Sequence, residues 1–173
     1  MTETVTVSAG LEPNEKYRHV QELVQEVPEV AALGRHIISS PYAFHPHLLD
    51  ISALTISQSL FAQALTVMQN TRLDYATAPY PQSFNWSAIL EKLRSLSAAA
   101  NIHWQSQNFY IVVFLSRIQE STDRLELGKL DERSHAEANK SGGLLKYWFG
   151  VPNPEGRNLA TCKSSLFDVW LLC

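Results

Sequence analysis

The chain has 173 residues, of which 45% are hydrophobic and 18% charged, and 14 Lys+Arg against 17 Asp+Glu leave a net charge of -3. This suits one globular domain burying roughly two-thirds of its unfolded surface, excludes a disordered chain, and argues against nucleic acid, which wants a basic face. No apolar run approaches the ~20 residues of a membrane helix, the polar start Met1 to Gly10 is no secretory signal, and Cys162 and Cys173 make no disulfide framework, so a cytoplasmic location is expected.

Residues 1–50 read as a loosely packed arm. A short helix over Glu15–Val27 is stopped by Pro28, and Pro41, His45, Pro46 and His47 mark an irregular connector. Leu60, Ala64, Val67 and Met68 form one apolar stripe and predict a helix over Ile56–Met68, capped by Ser52 or Thr55. Thr71 to Trp86 mixes prolines and aromatics in a polar run, which reads as an ordered loop pinned by its rings. A second helix is predicted from Trp86 to Ala100. Its core face is Trp86, Ile89, Leu90, Leu93 and Leu96, and Asn85 or Ser83 is its cap.

Phe109 to Leu115 (FYIVVFL) is apolar on both faces and predicts a strand at the centre of a sheet. Ser121 or Thr122 then caps a helix to about Lys140, with Leu127, Leu130, Ser134 and Ala138 facing inward, and Gly142 and Gly143 end it. Leu144 to Gly150 is a second strand. Val151 to Gly156 is a turn, and Arg157 to Lys163 is a third strand, antiparallel to the second. Residues 51–104 thus hold helices and the aromatic loop, and 108–173 hold the sheet. The fold class is α+β: a ferredoxin-like antiparallel sheet with helices on one face, three-quarters of a βαββαβ unit.

Ser134 to Gly150 (SHAEANKSGGLLKYWFG) followed by Gly156 to Cys162 (GRNLATC) resembles the signature of a fungal family of uncharacterised proteins. Ala62–Leu65, Leu73–Tyr80 and Ser83–Trp86 resemble the same family, so the likeness runs over residues 48 to 162. The resemblance implies a fungal source and a dimeric α+β barrel domain. It also implies a tailoring role in secondary metabolism, since members lie beside secondary-metabolite genes, but no established activity. Relatives continue past Cys162 with a further helix and a final strand. Here the chain reads KSSLFDVWLLC to Cys173, so the final helix and strand are expected to be missing and this copy to be truncated.

His135 lies four residues after Asp131 on one helix face, so the pair suits a carboxylate-oriented general base or acid, or else a half-buried structural histidine. Period two puts Lys146 and Trp148 on one face of their strand and Tyr147 and Phe149 on the other. A lysine beside a tryptophan suits an anionic or aromatic ligand through cation–π attraction, or only a rim position with its stem on the ring. Arg157 and Asn158 on the neighbouring strand suit a ligand carboxylate or a structural pairing, and Tyr110 can turn its phenol to the same cavity. Tyr80 and Trp86 belong to the aromatic loop, either a lid over that cavity or a clamp. The histidines lack ligand spacing for a metal, and Cys162 reads as buried rather than nucleophilic.

Two readings follow. In the first, the protein is a small-molecule tailoring enzyme of fungal secondary metabolism. It needs no cofactor and works on a small apolar or aromatic metabolite by cyclisation (including pericyclic), dehydration, isomerisation or oxygenation. His135, Lys146 and Tyr147 are the catalytic candidates, and Tyr110, Trp148, Arg157, Asn158, Tyr80 and Trp86 the ligand-binding ones. In the second, it is a non-catalytic ligand-binding or dimerisation protein, with a homodimer as one assembly it allows.

Overall fold

The computed structural model describes residues 35–165. The helix expected over Glu15–Val27 and the segment from Leu166 to Cys173 lie outside the described residues.

The first described element is a two-stranded antiparallel hairpin, β1 (His36–Ile37) with β2 (Leu49–Asp50). A 3-10 turn (Ile51–Ala53) leads to α1 (Ile56–Ala64). Thr55 caps α1 with a capping box: its hydroxyl takes the Gln58 N–H while the Gln58 side chain takes the Thr55 N–H. The expected helix to Met68 tightens to 3-10 geometry over Leu65–Val67. Next come a four-residue helix, α2 (Tyr80–Ser83), and α3 (Trp86–Ala99). Asn85 stands at the cap position of α3 but makes no capping bond. Its amide instead accepts from the Gln69 N–H and donates to the Val67 carbonyl, tying the loop to α1. Ile89, Leu93 and Ser97 are the buried face of α3, while Leu90 is exposed.

β3 (Tyr110–Arg117), α4 (Arg124–Ser141), β4 (Leu144–Phe149) and β5 (Arg157–Ser164) complete the described chain. Asp123, rather than Ser121 or Thr122, caps α4 by accepting from the Leu125 and Glu126 N–H groups. Gly142 ends it at φ +83, a region where only glycine avoids a Cβ clash. The buried face of α4 is also rotated from the expected one. His135 and Ala138 point inward, and Leu127 and Leu130 are exposed.

The sheet order is β3-β5-β4, antiparallel at both contacts. Central placement therefore falls to β5, and β3 is an edge strand among the described residues. Its apolar character on both faces has a different cause: each face of the sheet carries a helical layer. Sequence alternation reports what lies above and below a strand, not what lies beside it. This corrects the expectation of helices on one face. On one side, α4 and Tyr42 pack on Leu144, Tyr147, Cys162 and Phe114. On the other, α1, α3 and the aromatic loop pack on Leu145, Leu159, Val113 and Trp148. The fold is α+β with antiparallel sheets, and the described strands close no barrel.

Residues 35–50, read as a loose arm, are packed. Ser39, Tyr42, His47, Leu48 and Leu49 are buried, and the Ser39 carbonyl accepts the Tyr147 N–H at 2.9 Å along the outer edge of β4.

Candidate functional site

The helix period that buries His135 and Ala138 brings Asp131 to the same face of α4, one turn earlier. Asp131 does not pair with His135, as its spacing suggested. Its two carboxylate oxygens each accept a phenol, Oδ1 from Tyr147 and Oδ2 from Tyr42. Burial pushes the Asp131 carboxyl above the usual carboxylate range, and the two phenol hydrogen bonds oppose that shift without cancelling it. Burial first, and the facing Asp131 charge second, hold the Tyr147 phenol far above its ordinary value.

His135 instead meets His47, Nδ1 to Nδ1 at 2.8 Å. His47 is held there by Asn139, whose amide nitrogen donates to the carbonyls of Pro46 (2.8 Å) and Leu48 (3.1 Å). Burial lowers the pKa of His47, and Glu132, 3.8 Å from its Nε2, resists this. Burial, then the neighbouring His47, bring His135 down to about 4. Both imidazoles are therefore neutral at pH 7 and share one N–H across the contact. Glu132 favours the His47 proton on Nε2, so His135 donates from Nδ1 and keeps a bare lone pair on Nε2. That Nε2 is buried without a partner.

Tyr42, Asp131 and Tyr147 stand at the wall of an open cleft of about 370 Å3 between α4 and the sheet. Phe149, Ala160, Ile118 and Leu127 give it apolar sides. Asn158 enters it from β5, and its Oδ1 is buried with no hydrogen-bond donor. The arrangement offers a desolvated carboxylate, two phenols to polarise an oxygen, and a free amide acceptor.

The sheet divides the residues singled out from the sequence. His135, Tyr147 and Asn158 gather on the α4 side, and Lys146, Trp148, Tyr80 and Trp86 lie on the opposite side. The alternation of Lys146/Trp148 with Tyr147/Phe149 is as expected, but the face carrying Lys146 is covered by the chain's own helices and Lys146 is buried. Trp148 meets Tyr75 and Phe84 edge-on, at ring separations of 5.3 and 4.9 Å. The Tyr80 hydroxyl is 2.9 Å from Thr161 Oγ1, and Trp86 packs beside the Tyr80 ring. Arg157 is a surface residue 3.5 Å from Glu155, and Tyr110 is partly exposed opposite Ser164, so neither reaches the cleft. Sequence reasoning missed Tyr42, His47 and Lys163, and took Asp131 only as a partner for His135. A tyrosine and a histidine in an irregular connector carry no local mark, and Lys163 was legible only as the last inward position of its strand. Among the described residues, no group of His, Cys, Asp and Glu is arranged to hold a metal, and no helix is long and apolar enough to cross a membrane.

The chain matches the PB2B2.08-like family over residues 38–165. It is 38% identical over 135 residues to the UPF0643 protein PB2B2.08 of the fission yeast Schizosaccharomyces pombe, a match covering 74% of this chain and 61% of that protein. The chain thus spans about three-fifths of the relative's length. No solved structure matches it. Matched over most of its length, the chain belongs to the PB2B2.08-like family.

Proposed function

We propose that the protein is a small-molecule tailoring enzyme that performs cofactor-free proton-transfer chemistry in the cleft beside α4. The observation that carries this reading is Asp131: a carboxylate largely withdrawn from water, bridged by Tyr42 and Tyr147, at the wall of a cleft with apolar sides. A carboxylate raised by burial is a stronger base than an exposed one, and either phenol can turn from it to a substrate oxygen as that oxygen gains charge. The unpaired Asn158 Oδ1 suits a substrate hydroxyl or N–H. Isomerisation, dehydration or a proton-assisted ring closure of a small apolar or aromatic metabolite fits these groups, and oxygenation has no group here to favour it. His135 acts behind Tyr147, through the ring packing at 5.5 Å, and Lys146 drops out of this site.

The test is metabolite profiling of a fungal host carrying Asp131→Asn or Tyr147→Phe. Loss of one product with accumulation of its precursor is expected, by on the order of 10²-fold or more in turnover. Unchanged profiles from folded variants would remove the reading.

The order β3-β5-β4, with α4 crossing from β3 to β4, supports a ferredoxin-like unit as the finer description of the fold. A second reading, as a non-catalytic ligand-binding or dimerisation protein of the cytoplasm, is favoured by the edge of β3 that no described strand pairs and by Leu115, which is 69% exposed on it. Dimerisation through the opposite sheet face would have to displace α1 and α3, so the β3 edge is the consistent route. Sedimentation of the full chain separates the two: a tight dimer unaffected by Asp131→Asn would favour the second.

A further inference from the structure

On the sheet face turned away from the cleft, Lys163 of β5 stands opposite Lys146 of β4 in the strand register. Both are buried, Lys163 completely. Among the described residues no carboxylate pairs with either lysine. Lys163 Nζ lies 3.1 Å from Met68 Sδ and 3.4 Å from Thr161 Oγ1. Three rings enclose it, with centroids at 5.6 Å (Tyr80), 5.4 Å (Phe84) and 5.9 Å (Trp86). The indole N–H of Trp86 is buried with no acceptor.

A lysine kept only for structure is normally matched by a carboxylate, because a lone buried ammonium is strongly disfavoured. Two facing lysines without one form a different arrangement: each disfavours the other's charge, and the more buried amine gives up its proton first. An amine desolvated beside a second cation is an activated nucleophile. The walls of the cage are aromatic and thioether, which suits an apolar partner and rejects an anion.

We propose that Lys163 is an amine nucleophile that captures a small apolar aldehyde or ketone as a Schiff base inside the Tyr80, Phe84 and Trp86 cage, with Lys146 as its proton donor. The Lys163 lone pair forms a bond to the carbonyl carbon as the C=O π bond breaks. The oxygen takes one proton from the attacking nitrogen and one from the Lys146 ammonium and leaves as water. The nitrogen keeps its second hydrogen in the resulting iminium, and Lys146 is left as the neutral amine. The unpaired Trp86 N–H can hold the carbonyl oxygen during the addition. Burial, then Lys146, keep Lys163 well below the ordinary lysine range, and burial brings Lys146 down to about 8. The three rings of the cage belong to residues 80–86, a short helix and the entry to α3. Phe84 is buried in the core and the Tyr80 hydroxyl meets Thr161, so entry of the carbonyl requires these rings to swing off the sheet. The site is independent of Asp131, which lies across the sheet.

The full chain is treated with benzaldehyde and sodium cyanoborohydride at pH 7, digested, and its benzylated lysines are quantified by mass spectrometry. Lys163 is expected to react on the order of tenfold faster than the exposed Lys92, Lys129 and Lys140. Lys146→Met should slow labelling of Lys163 several-fold and leave the three surface lysines unchanged. Labelling of Lys163 at or below the surface rate in the wild-type chain overturns the proposal and leaves the cage as a structural cation–π box. The decisive comparison is internal to the wild-type protein, so no variant has to fold for it to be made, and the Asp131 variants do not bear on it.

Discussion

His47 and His135, 88 residues apart in sequence, share a single proton between their Nδ1 atoms at 2.8 Å. The contact fixes the connector of residues 39–48 against α4, and it makes the folded state sensitive to acid. It also places the His135 ring against those of Tyr42 and Tyr147.

The pH dependence follows first from the burial of His135 and second from that contact. His135 titrates at about 4 in the folded chain against 6.5 when free, so between these values the unfolded chain binds more protons. The stabilisation is complete above about pH 6.5 and is lost as the pH falls through about 4. Its size is roughly 3 kcal/mol from His135. Asp131 works in the opposite sense, since its raised carboxyl favours the folded state on the acid side. Denaturant melts at pH 7.5, 5.5 and 4.5 should show a net loss of stability, and His135→Gln should flatten the slope. An equal slope in the variant would assign the loss to other groups.

Asn139→Ala removes the two hydrogen bonds that hold the Pro46 and Leu48 carbonyls on α4. Leaving those carbonyls unmet costs roughly 1–3 kcal/mol. Hydrogen exchange should quicken across residues 39–48 and at the Tyr147 amide, which donates to the Ser39 carbonyl. Unchanged protection there would show that His47 is held without Asn139.

Gly150→Ala tests the other side of the sheet. A Cβ at this position would stand 2.1 Å from the Tyr75 hydroxyl, which donates to the Val151 carbonyl. Tyr75 is wedged between that bond and Trp148, so it has little room to yield. A loss of roughly 2 kcal/mol or more is expected in thermal or denaturant melts. A neutral substitution would mean that the aromatic loop lifts off β4 without cost.

Local chemistry determined much of this protein. Spacing marked α1, α3, α4 and the three strands of the sheet, the glycine at Gly142 marked the end of α4, and the alternation through Lys146, Tyr147 and Trp148 sorted those side chains correctly onto two faces. These features follow from backbone period and steric preference, which a few neighbouring residues carry between them. The tertiary structure alone decided which layer covers which face. It rotated α4 so that Asp131 and His135 point inward, brought Tyr42 and His47 across from a connector without periodicity, and set Lys163 against Lys146 with aromatic rings over Lys163. Those contacts join residues tens of positions apart, and their energies come from burial and desolvation, which exist only once the layers have closed.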